Sequence, residues 1–137
     1  MLRCWNSKAK KGTAIVEMAF VLPILVLLAM GMVEFSRVLM VQQVITHAAR
    51  EGARVGALYF NDTAAFDNAL GVSQTYLDSS GVNSELATIT PSFITMSGVP
   101  ALQVVVRYPY GSLLNGWIPG IPETLTLSST VIMRREV

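Results

Sequence analysis

The sequence has very few of the residues that build catalytic or metal sites. It contains one cysteine and one histidine, Cys4 and His47, in 137 residues. A single cysteine excludes an intrachain disulfide, so the fold must depend on packing. The chain has no serine–histidine–aspartate pattern, no P-loop and no Gly-x-Gly-x-x-Gly. Its acids are too dispersed for a calcium loop, and the lone histidine lacks fellow zinc ligands. We therefore expect no cofactor, no bound metal and no enzymatic activity.

Charge is also scarce and unevenly placed. Charged residues make up 14% of the chain, and the formal net charge is +1. No basic patch suggests binding to nucleic acid. Four basic residues, Arg3, Lys8, Lys10 and Lys11, crowd the first eleven positions without an acid among them. Residues 1–12 are therefore predicted to be a cytoplasmic leader peptide.

Apolar residues, by contrast, are in excess. Apolar residues make up 52% of the chain, which is high for a soluble domain. They concentrate in residues 14–33, a run of the length that crosses a hydrocarbon core of about 30 Å as a helix. The basic residues before this run predict that the N-terminus stays inside and that the rest of the chain lies across the membrane.

A helix is predicted to continue past the apolar run. Residues 34–58 lack proline, and a helix over Thr13–Leu58 would be about 69 Å long. Within it, polar side chains recur three or four positions apart and so share one face: Gln43, His47, Arg50 and Arg54.

The remainder, residues 59–137, is predicted to form a small α+β extracytoplasmic domain. Asn61, Asp62 and Thr63 supply N-cap side chains for a second, short helix, which should end near residues 79–81. Beyond Gly81 the apolar period changes to two, which predicts a three-stranded antiparallel sheet. Residues 87–96 contain Pro91, so this strand is placed at an edge.

One acid interrupts the apolar run close to its start. Glu17 stands five positions after Gly12, which follows the lysines. A glycine lets a membrane protease approach the peptide bond closely. A carboxylate in a bilayer costs roughly 2.5–3.5 kcal/mol at mid-membrane and less near an interface, so it normally has a partner. Cleavage after Gly12 would create such a partner, the α-amino group of Thr13. The alternative is a glutamate that reaches the headgroups without further function.

A second motif lies near the end of the predicted long helix. Arg50, Glu51 and Arg54 fall within one turn, and Glu51 can pair with Arg54 or with His47. Beside them runs a ridge of small residues: Ala48, Ala49, Gly52, Ala53, Gly56 and Ala57. The ridge can pack on the chain's own sheet or against the helix of another subunit. Pro23, in the apolar run, is expected to kink the helix.

The two motifs together resemble the TadE-like proteins. These are pseudopilins of tight-adherence (Flp-type) pilus systems, and the resemblance rests on residues 12–23, GTAIVEMAFVLP, and 48–54, AAREGAR. Met18 departs from the pattern, since pilin-like sequences often carry phenylalanine there.

The resemblance implies a pilin-like fold and a set of roles. A prepilin peptidase would cut between Gly12 and Thr13, and Glu17 would serve assembly. Helix packing would involve Pro23, Arg50, Glu51, Gly52 and Arg54. The implied partners, besides the peptidase and membrane lipid, are other pilins and pseudopilins and the inner-membrane pilus assembly platform.

Two functions follow from these expectations. The first is a minor pilin or pseudopilin that supports assembly of a tight-adherence type IVb pilus. It would be a single-pass protein of the bacterial inner membrane, with residues 13–33 spanning and the C-terminal domain periplasmic or extracellular. The alternative is an uncleaved single-span protein whose extracytoplasmic domain scaffolds or binds in the cell envelope. Only the pilin function requires a glycine at position 12 and a glutamate five positions later, at Glu17.

Overall fold

The chain is an α+β protein, as predicted, and its described residues form two α-helices followed by a three-stranded antiparallel sheet. A computed structural model describes residues 7–113, 115, 120 and 122–135, so positions 1–6 of the predicted leader lie outside the described residues. The elements in chain order are α1 (Ser7–Gly56), α2 (Asp62–Ser79), a 3-10 turn (Ser84–Leu86), β1 (Thr88–Met96), β2 (Val99–Gly111) and β3 (Thr124–Arg134).

Helix α1 begins before the position that the apolar pattern indicated. It starts at Ser7 rather than Thr13, and its 50 residues span about 75 Å. Lysine and alanine, which fill positions 8–11, are strong helix formers, and one glycine costs a helix only about 1 kcal/mol. The helix also continues through Pro23. Gly12 therefore lies inside helical backbone in the uncut chain.

Helix α2 begins and ends within the short stretches that its sequence predicted. Asn61 adopts extended backbone, and its side chain accepts a hydrogen bond from the Thr63 N–H at 3.0 Å. This bond satisfies one of the free N–H groups of the first turn. The helix ends at Ser79, and Gly81 follows with φ of 77°, a conformation that favours glycine.

The sheet has the order β1-β2-β3, with both pairs antiparallel. The predicted edge position of the strand that contains Pro91 is confirmed, because β1 pairs with β2 and with no other strand of the described residues. Proline lacks the N–H that the interior of a central strand must donate, and the two prolines of the central strand β2, Pro100 and Pro109, lie near its ends. Ser97 and Gly98 join β1 to β2 in a tight turn, both with positive φ.

Both helices cover one face of the sheet and form the core with it. Alternate residues of β2, namely Leu102, Val104 and Val106, are fully buried and meet Ile45 of α1 and Leu77 of α2. Helix α1 packs across β2 and β3, and α2 reaches β1. The domain is therefore a two-layer structure built on the C-terminal half of α1.

Candidate functional site

The two sequence motifs lie far apart on α1. Glu17 stands one turn after Thr13 and is exposed, and no side chain of the described residues pairs with it. Gly52, in the second motif, is 35 positions further along the same helix. That separation corresponds to about 52 Å along the axis, so the motifs cannot form one site.

The N-terminal half of α1 carries a long uncovered apolar surface. The helix is long and apolar enough between Thr13 and Gly56 to cross a membrane. Large apolar side chains on it are exposed from Ile15 to Val33, with Pro23 exposed among them. A contiguous apolar surface of this size marks a contact with lipid or protein. The geometry fits a single-pass membrane protein.

The polar residues of the second motif form an exposed ion pair. Arg54 Nε donates to Glu51 Oε2 at 3.1 Å, and Arg54 Nη2 donates to Glu51 Oε1. The hydrogen bond from Arg54 is the main reason that the pKa of Glu51 is lowered. Arg50 is exposed, and the ring of His47 lies 6.3 Å from the ring of Tyr76 rather than pairing with Glu51. Because the pair is exposed, it contributes little to stability.

The ridge of small residues packs within the chain, chiefly against α2. A Cβ atom on Gly52 would lie 2.7 Å from the carbonyl oxygen of Ala69 and 2.0 Å from Ser73 Oγ. A Cβ atom on Gly56 would lie 2.5 Å from Leu102 Cδ2, which is the ridge's contact with the sheet. The sequence allowed packing on the chain's own sheet. This prediction is right only in part, because the main neighbour of the ridge is α2 and Leu102 supplies the contact with the sheet.

A buried hydroxyl reinforces this contact between the helices. Ser73 is fully buried, and its Oγ donates to the carbonyl oxygen of Ala48 at 3.1 Å. A buried hydroxyl needs such a partner to offset the loss of water. The bond also fixes the register of α2 along the ridge.

Sequence reasoning missed a buried carboxylate at the end of the apolar run. Glu34 is buried, and its Oε1 accepts a hydrogen bond from the Leu113 backbone N–H at 3.0 Å. This bond joins α1 to the connection between β2 and β3. Glu34 is the only acid between Glu17 and Glu51. The sequence signal that could have indicated Glu34 is a lone acid directly after an apolar run.

Two further side chains complete the surroundings of Glu34. Tyr110 is buried, and burial is the main cause of its raised pKa, with a further contribution from the negative charge of Glu34. Arg37 lies over the Tyr110 ring at 5.8 Å, and its positive charge acts in the opposite direction. Glu34, Arg37 and Tyr110 therefore form one polar cluster beside the C-terminal end of the apolar helix surface.

Sequence reasoning also missed Arg135, which bonds to the turn between the two helices at the opposite end of the domain. Its guanidinium donates to Asp62 Oδ1 at 2.9 Å and to the carbonyl oxygens of Tyr59 and Phe60 at 2.7 Å. It also lies 4.6 Å above the Phe93 ring. These contacts hold the end of β3 to the turn between the helices. No local pattern could have indicated a bond between residues 73 positions apart.

Within the described part of the chain, no three histidine, cysteine or acidic side chains come together as a metal site.

The comparison with protein families agrees with the two sequence motifs. No curated protein and no solved structure matches the chain. A family model described as TadE-like protein matches residues 12–54. Over this segment, which begins at Gly12 and ends at Arg54, the chain is similar to the TadE-like proteins, as its two motifs predicted.

Proposed function

We propose that the chain is a minor pilin or pseudopilin that supports assembly of a tight-adherence type IVb pilus. The observation that carries the proposal is the family match, which covers both motifs and begins at Gly12. The basic segment before Gly12 lies outside the match, as a removable leader would. The family match and the uncovered apolar helix support a structural role in a pilus system rather than an enzymatic one.

The division of α1 into two halves suits this role. Its N-terminal half offers apolar surface that nothing in the described chain covers, while its C-terminal half forms the core of the domain. A membrane can hold the first half until other pilins and the inner-membrane assembly platform replace lipid around it. The domain then stays folded during transfer, because its core does not include the membrane segment.

The helical backbone at Gly12 bears on how the leader would be removed. A prepilin peptidase that cuts between Gly12 and Thr13 must first unwind this part of α1. Glycine lowers the cost of unwinding by about 1 kcal/mol relative to alanine and leaves space around the bond. The alternative is an uncleaved single-span protein that scaffolds or binds in the cell envelope. Such a protein would keep α1 continuous, and no part of the helix would have to unwind.

Processing separates the two functions. We expect native protein from membranes to begin at Thr13, because the cut removes the leader, and N-terminal sequencing or intact mass would show it. Gly12→Leu should abolish the cut and leave membrane insertion unchanged. A native chain that retains Cys4 would contradict the proposal and favour the uncleaved anchor.

Topology gives a second test of the proposed anchoring. The basic start requires the N-terminus inside and residues after Glu34 outside. Alkaline phosphatase fused after Val137 should therefore be active, and a cytoplasmic reporter at the same position should be silent. The reverse pattern would show that the domain faces the cytoplasm and would exclude a pilus subunit.

A further inference from the structure

The domain reaches along α1 as far as the apolar surface of the helix. Strand β2 ends at Gly111, and the Glu34 carboxylate holds the backbone of Leu113 just beyond it. Leu113 lines a shallow apolar groove of about 220 Å³ together with Ala29, Met30 and Val33 of α1. We call these four residues the foot of the domain. The foot joins the domain to the last turn of the predicted span.

Leu113 therefore lies level with helix residues that would be in lipid. Ala29, Met30 and Val33 belong to the apolar run of residues 14–33. The side chain of Leu113 is 53% exposed beside them, so it adds to their surface instead of being covered by the domain. An exposed leucine that continues a lipid-facing surface removes apolar area from water once a bilayer surrounds it.

The polar groups just above the foot are arranged as at a membrane–water boundary. Arg37 is one helical turn past Val33, about 6 Å further from the bilayer centre. It lies over the ring of Tyr110. Tyrosine is typical of the headgroup level, and a long arginine side chain near the end of a span can reach that level. Glu34, between them and the foot, is buried in protein and bonded to the Leu113 N–H. The foot thus shields a carboxylate from lipid at the depth where exposure would be costly.

We propose that the foot inserts into the bilayer and takes the acyl chains of phospholipids in the leaflet on the domain's side. The domain then stands on the membrane at a set height and orientation, held by Glu34. This inference rests on the membrane anchoring proposed above. It adds that a part of the domain, and not only α1, contacts lipid.

Spin labels at three positions of matched exposure test the inference. The full chain with Cys4→Ser receives one cysteine at Leu113, Leu25 or Met96, whose exposed fractions are 53%, 56% and 52%. Each variant carries a nitroxide and is reconstituted in phosphatidylcholine–phosphatidylglycerol vesicles. Collision rates with oxygen, which enters lipid, and with a water-soluble nickel chelate report the depth. We expect the label at Leu113 to behave like the label at Leu25, with collisions with oxygen favoured several-fold over those with the nickel chelate. The label at Met96, at the far end of β1, should collide more with the nickel chelate.

The outcomes separate this inference from the function on which it rests. A Leu25 label that favours nickel would overturn the anchoring and the foot together. A Leu25 label in lipid with a Leu113 label that matches Met96 would overturn the foot alone.

Glu34 is tested by a matched pair of variants in the Leu113-labelled chain. Glu34→Ala removes the acceptor and should raise nickel access at Leu113 several-fold. Glu34→Gln keeps an oxygen for the Leu113 N–H and should leave the label in lipid. An unchanged spectrum of the Met96 label in each background confirms that the domain is folded. If the nickel chelate reached the Leu113 label equally well in the two variants, Glu34 would not hold the foot.

Discussion

Gly52→Leu is expected to destabilise the domain strongly. Even a Cβ atom at this position would lie 2.7 Å from the Ala69 carbonyl oxygen, which belongs to the backbone of α2. A backbone atom cannot turn away as a side chain can, so α2 must move and the Ser73 bond to Ala48 must lengthen or break. Overpacking typically costs about 1–3 kcal/mol, and this clash should reach about 3 kcal/mol or more.

Gly71→Ala is the matched control for that experiment. Gly71 lies on the exposed side of α2, and nothing lies within 4 Å of the place where its Cβ would be. Alanine there should stabilise the helix by about 0.5–1 kcal/mol. Thermal unfolding of the full chain in detergent, followed by circular dichroism, measures both changes. If Gly52→Leu unfolds at the wild-type temperature, the ridge does not pack against α2.

Glu17→Ala is expected to abolish pilus assembly while leaving the protein inserted and processed. The carboxylate sits in the apolar part of α1 without a partner among the described side chains. Its removal should make insertion more favourable, by up to about 3 kcal/mol if Glu17 lies deep in the bilayer. We propose that Glu17 pairs with the Thr13 amine that cleavage exposes, first within its own helix and then on a neighbouring subunit. Without the charge that exchange cannot occur.

The experiment compares three variants in a deletion strain. Glu17→Gln should fail like Glu17→Ala, because it keeps the shape of the side chain and loses the charge. Glu85→Ala removes an exposed carboxylate from the domain and should assemble normally. Leader removal is followed by mass, and assembly by counting pili and by co-purification of other pilins. Normal piliation from a cleaved Glu17→Ala protein would contradict the mechanism.

The sequence by itself determined the features that depend on neighbouring residues. The apolar run, the helical period beyond it, the capping stretch before α2 and the strand alternation each involve residues a few positions apart. Such short-range patterns also placed the strand with Pro91 at an edge, because its lost donor is a property of that residue alone. The i,i+3 pair of Glu51 and Arg54 forms for the same reason, since helix geometry brings those side chains together.

Only the tertiary structure decided which surfaces meet. The small residues of α1 predicted a close approach, but not that α2 would be the neighbour rather than the sheet or another subunit. Likewise, the sequence shows Glu34 only as the residue that follows the apolar run. It is buried only because β2 brings Leu113 to it from 79 positions away. Arg135 closes the domain across 73 positions in the same manner. Periodicity carries no information over such distances, because the partner is chosen by how the helices and the sheet pack together to bury their apolar faces.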